Sequence, residues 1–251
     1  MRRGHYLSMS RLALAHLCSW SFREDAPQSP RPAGAEARVG SLVHKMAETF
    51  VKKGFAPEDF PNESPTTVAA ARELFSAPLQ RYLESVPWAA CEIGLRYDAR
   101  SDTTSQGPRR GDPGYEDVSA TEIPGTLDLV ASEPDLLTVV DLKSGKLVKD
   151  IEQLIGQGVA AARHYGAKRV RVGYLYARKT KCDEPSWTVL DEDALDEHAG
   201  RLSRLMRRLP MAEPNPGDHC WRCDARPSCP AYESQQTESL AGDLEEAGFF
   251  G

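Results

Sequence analysis

The segment 125-GTLDLVASEPDLLTVVDLKSGK-146 contains the pattern that decides the fold. Its apolar runs predict two strands joined by a hairpin turn at Ser-Glu-Pro-Asp. Residues two apart in a strand share a face, so Asp141 and Lys143 point the same way while the residue between them points into the core. Asp128, on the first strand, could lie opposite them across the hairpin. The sequence therefore predicts polar side chains held at one end of a buried sheet.

Two carboxylates and a lysine in this arrangement suit one kind of chemistry. Carboxylates that converge on a point form a hard oxygen site for Mg²⁺ or Mn²⁺. A lysine beside them can orient the water that attacks a phosphodiester, and its charge offsets the negative charge of the transition state. The alternative is a strand that ends in an ordinary solvated D-x-K-S-G turn. This segment alone does not separate the two interpretations.

Two further polar residues lie on predicted helices that could reach this strand end. His44 occurs on a helix that is otherwise apolar toward the core, where a neutral imidazole could supply a third metal ligand; a satisfied core histidine is the alternative. Glu48, one turn later, shares its face and could support it. Gln153 begins a helix ten positions after Lys143. Its amide could hold the attacking water or a phosphate oxygen, and a plain surface glutamine is the alternative.

Four of the six cysteines are divided between the two ends of the chain. Cys18 stands alone, whereas Cys220, Cys223 and Cys229 form a C-x2-C-x5-C motif whose close pair can direct both thiolates at one metal. If Cys18 is the fourth ligand, the metal joins the two ends of the chain. The alternatives are unrelated thiols or a zinc knuckle that does not include Cys18, and spacing alone does not separate iron from zinc.

The composition of the 251 residues bounds the class of protein. With 40% hydrophobic and 27% charged residues, the chain suits one compact domain. No apolar run approaches the length of a membrane span, and the N-terminus lacks a cleavage-like signal. Because disulfides are rare in reducing compartments, we expect a cytoplasmic protein whose thiols bind metal. We assign no role to Cys91, expected to be buried in a strand, or to Cys182, expected to be exposed in a loop.

The order of predicted elements describes an α/β fold with a small mixed central sheet flanked by helices. Residues 99–118 have almost no apolar content and are predicted to be a mobile insertion. A loop is predicted at 23–38, a cysteine-rich helical lobe at 210–232 and an acidic tail at 233–251. Helices are predicted at 10–18, 40–53, 65–86, 150–165 and 192–209, and strands at 91–97, 123–131, 136–143 and 169–177.

The net charge of −6 does not indicate a nucleic-acid-binding protein, but the basic residues are unevenly placed. Residues 163–181 include seven lysines or arginines and no acid, and three arginines recur at helical spacing within 192–209. A basic stripe can follow a phosphate backbone on an acidic protein, and an ordinary solvated helix face is the alternative. The candidate DNA-binding residues are Arg169, Arg171, Arg178, Arg201, Arg204 and Arg208.

Six short motifs resemble, in order, those of the PD-(D/E)XK nuclease superfamily, in its RecB-like branch with an iron–sulfur cluster. The resemblance covers residues 8–232. This chain has Gln157 where that branch often has tyrosine, and Ser19 where it often has proline. The matching residues are Ser10-Arg11-Leu12 with Cys18, Gly40 to His44, Gly125-Thr126-Leu127-Asp128, Asp141-Leu142-Lys143-Ser144-Gly145, Gln153-Leu154, and the C-terminal cysteine motif with Pro230.

This resemblance implies a single nuclease domain over residues 1–251, with a restriction-endonuclease-like core. It also implies a structural [4Fe–4S] cluster on the four cysteines, with Zn²⁺ as the alternative, that ties the N-terminal helix to the C-terminal lobe. Lys143 would act on the water nucleophile with support from Gln153. The implied ligands of Mg²⁺ or Mn²⁺ are His44, Asp128, Asp141 and the carbonyl of Leu142.

By the same resemblance we expect a metal-dependent DNA nuclease, in particular an exonuclease directed at single strands or DNA ends, in recombination, repair or phage DNA processing. A helicase, a recombination protein or a CRISPR protein could be its partner. The alternative within the class is a CRISPR-adaptation nuclease that trims prespacers. A catalytically silent DNA-binding scaffold would have lost an acid or the lysine, and this chain has lost neither. An electron-transfer protein would not explain Asp128, Asp141 and Lys143.

Overall fold

The computed structural model describes most of the chain. The predicted acidic tail at 233–251, Lys146 and part of the predicted loop at 23–38 lie outside the described residues. Within them, no helix combines the length and the apolar content that a membrane crossing requires. The described residues are 6–23, 25–26, 34–145, 148, 150–183 and 185–232.

One mixed sheet of seven strands forms the centre of the described structure. The strands are β1 (Trp88–Asp98), β2 (Thr103–Gln106), β3 (Glu122–Glu133), β4 (Leu136–Lys143), β5 (Val170–Ala177), β6 (Cys182–Asp183) and β7 (Thr188–Leu190). Their spatial order is β2-β1-β3-β4-β5-β6, with β7 also paired to β5. β4 and β5 are parallel, whereas the other paired strands are antiparallel. The predicted α/β class with a mixed central sheet is confirmed.

Helices cover both faces of this sheet. They are α1 (Leu12–Leu17), α2 (Ala35–Lys53), α3 (Pro65–Leu74), α4 (Ala77–Ser85), α5 (Glu152–Tyr165) and α6 (Glu192–Arg208). One core cluster joins α1, α5 and α6 to residues such as Val139 and Val172, and a second joins α2, α3 and α4 to Val140 and Leu142. Because α5 is the crossover between two parallel strands, its first turn lies near the end of β4, where Lys143 is.

The single helix predicted at 65–86 is wrong, because the structure has two helices there. The first ends at Leu74 and the second begins at Ala77. Pro78 explains the break, since its ring would collide with the carbonyl group four residues earlier, which belongs to Leu74. Ser76 precedes the second helix as its N-cap residue.

Residues 99–118 are built into the edge of the sheet. No strand is predicted in this segment, but Thr103–Gln106 form β2 and pair with β1. Backbone hydrogen bonds to the neighbouring strand hold a sequence whose side chains are too polar to form a core. Tyr115 and Val118 are buried later in the segment. Its mobility stays a prediction.

The N-terminal segment packs closely behind β3 and α5. Met9 and Leu12 are buried. A Cβ atom at Gly125 would collide with Met9 Sδ, and one at Gly156 would collide with Leu12 Cδ1. Both glycines are therefore needed for close approach of two segments rather than for a turn.

Candidate active site

The middle of β3 and the C-terminal end of β4 bring two buried carboxylates together. Asp128 is 8% exposed and Asp141 is 2% exposed. The backbone N–H of Leu142 donates to Asp128 Oδ2 at 2.7 Å, which ties the end of β4 to β3. The Leu142 side chain is buried in the second core cluster. The structure thus places both acids as the strand pattern predicts, while their roles and that of the Leu142 carbonyl stay predictions.

An imidazole and a second carboxylate converge on Asp128. His44 Nδ1, on α2, lies 3.5 Å from Asp128 Oδ1 and 3.2 Å from Glu92 Oε1. One ligand atom from each of these three residues lies within 4.8 Å of the other two. Burial lowers the pKa of His44, but Asp128 and Glu92 outweigh it, so that pKa is raised well above its ordinary value. Burial and the charge of Asp141 also raise the pKa of Asp128.

Glu92 is a member of this group that the sequence pattern did not predict. It lies within β1, yet its φ is +51°, a left-handed conformation that residues with a Cβ rarely adopt. Such conformations persist where the surrounding structure imposes them, and they cluster at functional sites. A charged residue between apolar neighbours in A-C-E-I-G was the available signal, but the backbone conformation that accompanies its contact with His44 cannot be read from the sequence.

Asp141 is held by a group of side chains from β4 and α5. Lys143 Nζ lies 2.6 Å from Asp141 Oδ2 and donates to Gln153 Oε1 at 3.2 Å. The amides of Gln153 and Gln157 both donate to Asp141 Oδ1. The structure therefore brings together Asp141, Lys143 and Gln153, and the contacts of Gln153 favour a place in the site over a plain surface glutamine.

Gln157 was not predicted to belong to this group. It is 1% exposed, and its Nε2 also donates to the carbonyl oxygen of Thr126 at 3.0 Å. The side chain therefore links β3 to the carboxylate on β4. Its position four residues after Gln153, on the same helix face, was the signal that could have identified it.

These residues line an open cavity of about 670 Å³ at the end of the sheet. One side of the cavity is α2, with His44 and Glu48. Residues 109–112 and Tyr115 also line the cavity. Glu48 does not support His44 as expected, because it pairs with Arg109 at 2.8 Å. The site is therefore enclosed by two segments that are distant in the sequence and is reachable from solvent.

Comparisons with known proteins identify the family. A sequence model of the PD-(D/E)XK nuclease superfamily matches residues 6–230. This chain belongs to that superfamily. The resemblance drawn from the six motifs is thereby confirmed at the level of the superfamily, and the RecB-like branch stays a prediction.

Solved structures similar to this PD-(D/E)XK nuclease are distant in sequence. A candidate exonuclease from Eubacterium rectale is 16% identical with a TM-score of 0.47, and the match covers 87% of each chain. The protein SSO0001 is 14% identical with a TM-score of 0.42, and the match covers 92% of this chain and 89% of that one. A search of curated proteins found no match.

The donor set of this nuclease fits a divalent metal ion. His44, Glu92 and Asp128 offer one imidazole nitrogen and two carboxylate oxygens around one point. Carboxylates suit Mg²⁺ and Mn²⁺, and imidazole is compatible with Mn²⁺. Asp141 does not belong to this group of three in the structure; its carboxylate contacts Lys143 and the amides of Gln153 and Gln157.

Cys18 lies where the N-terminal segment of the described chain contacts the lobe that contains the other three cysteines of the predicted clasp. Asn215 N–H contacts Cys18 Sγ at 3.4 Å, and the Asn215 side chain donates to the carbonyl oxygen of Leu17. Burial raises the pKa of the Cys223 thiol, and the proximity of Cys18 and Cys220 raises it further. Cys18 is buried directly after α1, and Cys223 and Cys229 are buried within the lobe.

The remaining two cysteines differ from each other. Cys91 is buried in β1, as expected, with its Sγ 3.9 Å from the carbonyl oxygen of Glu48. Cys182 was expected to be exposed in a loop, and this is wrong. It lies in β6 and is partly buried against the second core cluster, because pairing with Ala177 attaches it to the sheet.

The structure does not bring the six candidate DNA-binding arginines onto one surface. Arg171 pairs with Glu133 near the start of β5, whereas Arg178 donates to the carbonyl oxygen of Gly145 at the other end of that strand. Arg201 pairs with Glu152 on α5. Acids distant in the chain thus neutralise residues that form an acid-free run in the sequence. Within the described residues, the candidates that are exposed and contact no carboxylate are Arg169, Arg204 and Arg208.

Proposed function

We propose that this nuclease hydrolyses phosphodiester bonds of DNA with Mg²⁺ or Mn²⁺, as an exonuclease directed at single strands or DNA ends. The observation that supports it is the convergence of His44, Glu92 and Asp128 beside Asp141 and Lys143 on the floor of an open cavity. Burying acids and a lysine costs free energy, and such clusters are concentrated at functional sites. A silent scaffold would not need to keep all of these groups in contact.

The residues of the site can divide the work of hydrolysis between them. Water attacks the phosphorus, the bond to the leaving oxygen breaks, and a proton from the water ends on that oxygen. A bound metal ion would lower the pKa of the water and stabilise charge on the phosphate. Lys143, fixed between Asp141 and Gln153, can orient the water, and its charge offsets the negative charge of the transition state.

A cleavage assay on defined DNA molecules tests this proposal. The substrates are linear single strands, linear duplexes and covalently closed circles, each labelled, with Mg²⁺, Mn²⁺ or EDTA. We expect metal-dependent release of short products from linear DNA and resistance of the circles. Absence of cleavage with either metal would contradict the proposal. Cleavage of the circles would be consistent with nuclease activity but would refute the proposal that the enzyme is an exonuclease.

We also propose that Cys18, Cys220, Cys223 and Cys229 hold a structural [4Fe–4S] cluster, which would place the protein in the RecB-like branch. The contacts of Asn215 with Cys18 Sγ and of Arg11 with Asp224 join the N-terminal segment to the cysteine-bearing lobe and support a shared site. Zn²⁺ is the alternative metal, and iron and zinc analysis after oxygen-free purification decides between them. Recombination, repair, phage DNA processing and prespacer trimming are the proposed settings, and neighbouring genes would indicate which helicase, recombination or CRISPR partner applies.

Glu92→Gln should weaken metal binding, because an amide oxygen replaces a carboxylate beside His44. We expect the affinity for Mn²⁺, measured by isothermal titration calorimetry, to fall about 10- to 100-fold, with cleavage partly restored at high Mn²⁺. Glu84→Gln, an exposed substitution on α4, is the matched control and should bind Mn²⁺ like the wild type. Equal Mn²⁺ affinity in Glu92→Gln and the control would remove Glu92 from the metal site.

The exposed arginines of α6 are predicted to contact DNA beyond the reacting phosphate. Arg204→Glu with Arg208→Glu should weaken binding and lower the slope of log Kd against log salt by roughly 0.7 per lost contact with a single strand. Arg207→Glu, an exposed neighbour on the same helix, tests whether the position of the charge matters. A double variant with the wild-type affinity and salt slope would refute a DNA-binding role for this helix.

A further inference from the structure

The cavity of the active site is a cleft between two walls. One wall is the side of α2 that includes Arg38, Ser41 and Lys45, and the other is the segment 109–115, which follows β2. The catalytic acids form the floor between them. The Arg109–Glu48 ion pair joins the two walls at one place. A chain molecule that reaches the acids must therefore pass between these walls.

The wall formed by residues 109–115 is fixed to the sheet at several points. Just before this segment, Gly107 N–H donates to the carbonyl oxygen of Gly94 at 3.0 Å, and a Cβ atom at Gly94 would collide with the backbone of Gly107 and Pro108. Arg96 Nη2 donates to the carbonyl oxygen of Gly114 at 2.7 Å. Arg110 N–H donates to Thr126 Oγ1 at 2.9 Å. Because Thr126 precedes Asp128 by two residues on β3, this bond attaches the backbone of Arg110 to the strand that carries one of the acids.

Some basic residues that line the cleft pair with carboxylates, whereas others do not. Lys45 and Arg109 both pair with Glu48, and Lys143 pairs with Asp141. Among the described residues that line the cleft, Arg38 and Arg110 are exposed and contact no carboxylate. One lies on each wall. Two guanidinium groups without a carboxylate partner, in a cavity that also contains the metal-binding carboxylates, indicate that the cleft binds an anion. This anion would extend from the carboxylates to both arginines.

We propose that the DNA strand lies in this cleft with Arg38 and Arg110 bound to phosphates on opposite walls. The proposal rests on the proposed nuclease function and adds the path of the substrate. Guanidinium groups bind phosphates with two hydrogen bonds and keep their charge at all relevant pH values. The fixed backbone of Arg110 reduces the ordering that binding requires. The two arginines thus position the phosphates next to the one that reacts.

The test is binding of a labelled single-stranded oligonucleotide by Arg38→Gln, Arg110→Gln and the double variant. Fluorescence anisotropy gives Kd from 0.05 to 0.5 M salt, with Ca²⁺ in place of Mn²⁺ to suppress cleavage. Each substitution should lower the slope of log Kd against log salt by about 0.7, and the double variant by about 1.4. At 0.15 M salt, one lost contact corresponds to roughly a fourfold weaker affinity. Arg100→Gln, exposed in the turn after β1, is the control.

The outcomes separate this proposal from the proposed function. Lower salt slopes in both single variants, with an unchanged affinity for Mn²⁺, support the path. A wild type that cleaves DNA together with a double variant that keeps the wild-type slope overturns the path and leaves the nuclease intact. A salt slope that falls only when the α6 arginines are substituted also overturns the proposed path and leaves the proposed nuclease function intact. A wild type that neither binds nor cleaves DNA overturns both.

Discussion

Asp141→Asn is expected to lower the rate of Mn²⁺-dependent DNA cleavage about 10³-fold. Asparagine keeps the shape of the side chain and can still accept from Gln153, but it cannot form the ion pair that holds Lys143 at 2.6 Å. Lys143→Met should have an effect of similar size, because it removes the charge that faces the reacting phosphate. Initial rates on a linear single strand at saturating Mn²⁺ measure both.

Asp135→Asn is the matched control for Asp141→Asn. Asp135 is exposed in the turn between β3 and β4, at the opposite end of the same strand from the site. This variant should cleave at the wild-type rate, and thermal unfolding should show that Asp141→Asn remains folded. A folded Asp141→Asn or Lys143→Met protein with a rate within a fewfold of the wild type would refute the assignment of the site.

Cys18→Ser is expected to remove the iron–sulfur absorbance and to lower the midpoint of thermal unfolding by about 10 °C or more. The proposed cluster closes a loop between Cys18 and Cys220, which is most of the chain, and long closures restrict the unfolded state most. The size of the shift follows from the stabilisation of a cross-link of this length, about 4–5 kcal/mol. Iron content per chain, absorbance and calorimetry after oxygen-free purification measure these changes.

Cys182→Ser controls for the loss of any thiol, since Cys182 lies in β6 and is not a proposed ligand. It should keep the full iron content. If Cys18→Ser retains its iron, Cys18 is not a ligand and the metal site is confined to the C-terminal cysteines. Zinc found in the wild type in place of iron would preserve the clasp and replace the proposed cofactor.

The β3–β4 hairpin and its acids were predictable because they depend on local rules. Alternation along a strand decides which side chains share a face, and the turn residues decide where the chain reverses. Asp128, Asp141 and Lys143 follow from these rules alone. Gln157 obeys an equally local rule, the spacing of four on a helix, and its omission is a failure to apply the rule rather than a limit of the sequence.

Other features depended on contacts between distant segments. Glu92 contacts His44 from a strand whose backbone is locally left-handed, a conformation that the tertiary structure imposes. The acid-free basic run at 163–181 carries ion pairs with acids that arrive from elsewhere, such as Glu133 for Arg171 and Glu73 for Lys179. A sequence shows which charges are neighbours along the chain but not which charges neutralise them in the fold.

The collision sites at Gly125 and Gly156 have a consequence for the order in which the chain assembles on the ribosome. Met9 and Leu12 emerge before β3 and α5, whose close-packed glycines are synthesised roughly 115 to 145 residues later, on the order of ten seconds at ordinary translation rates. During that interval these apolar side chains lack their partners on β3 and α5. The first helix therefore docks among the last, as a contact of high sequence separation, and such contacts slow folding. Translation speed should thus influence the yield of folded protein more strongly than for a chain whose first helix packs against its immediate successor.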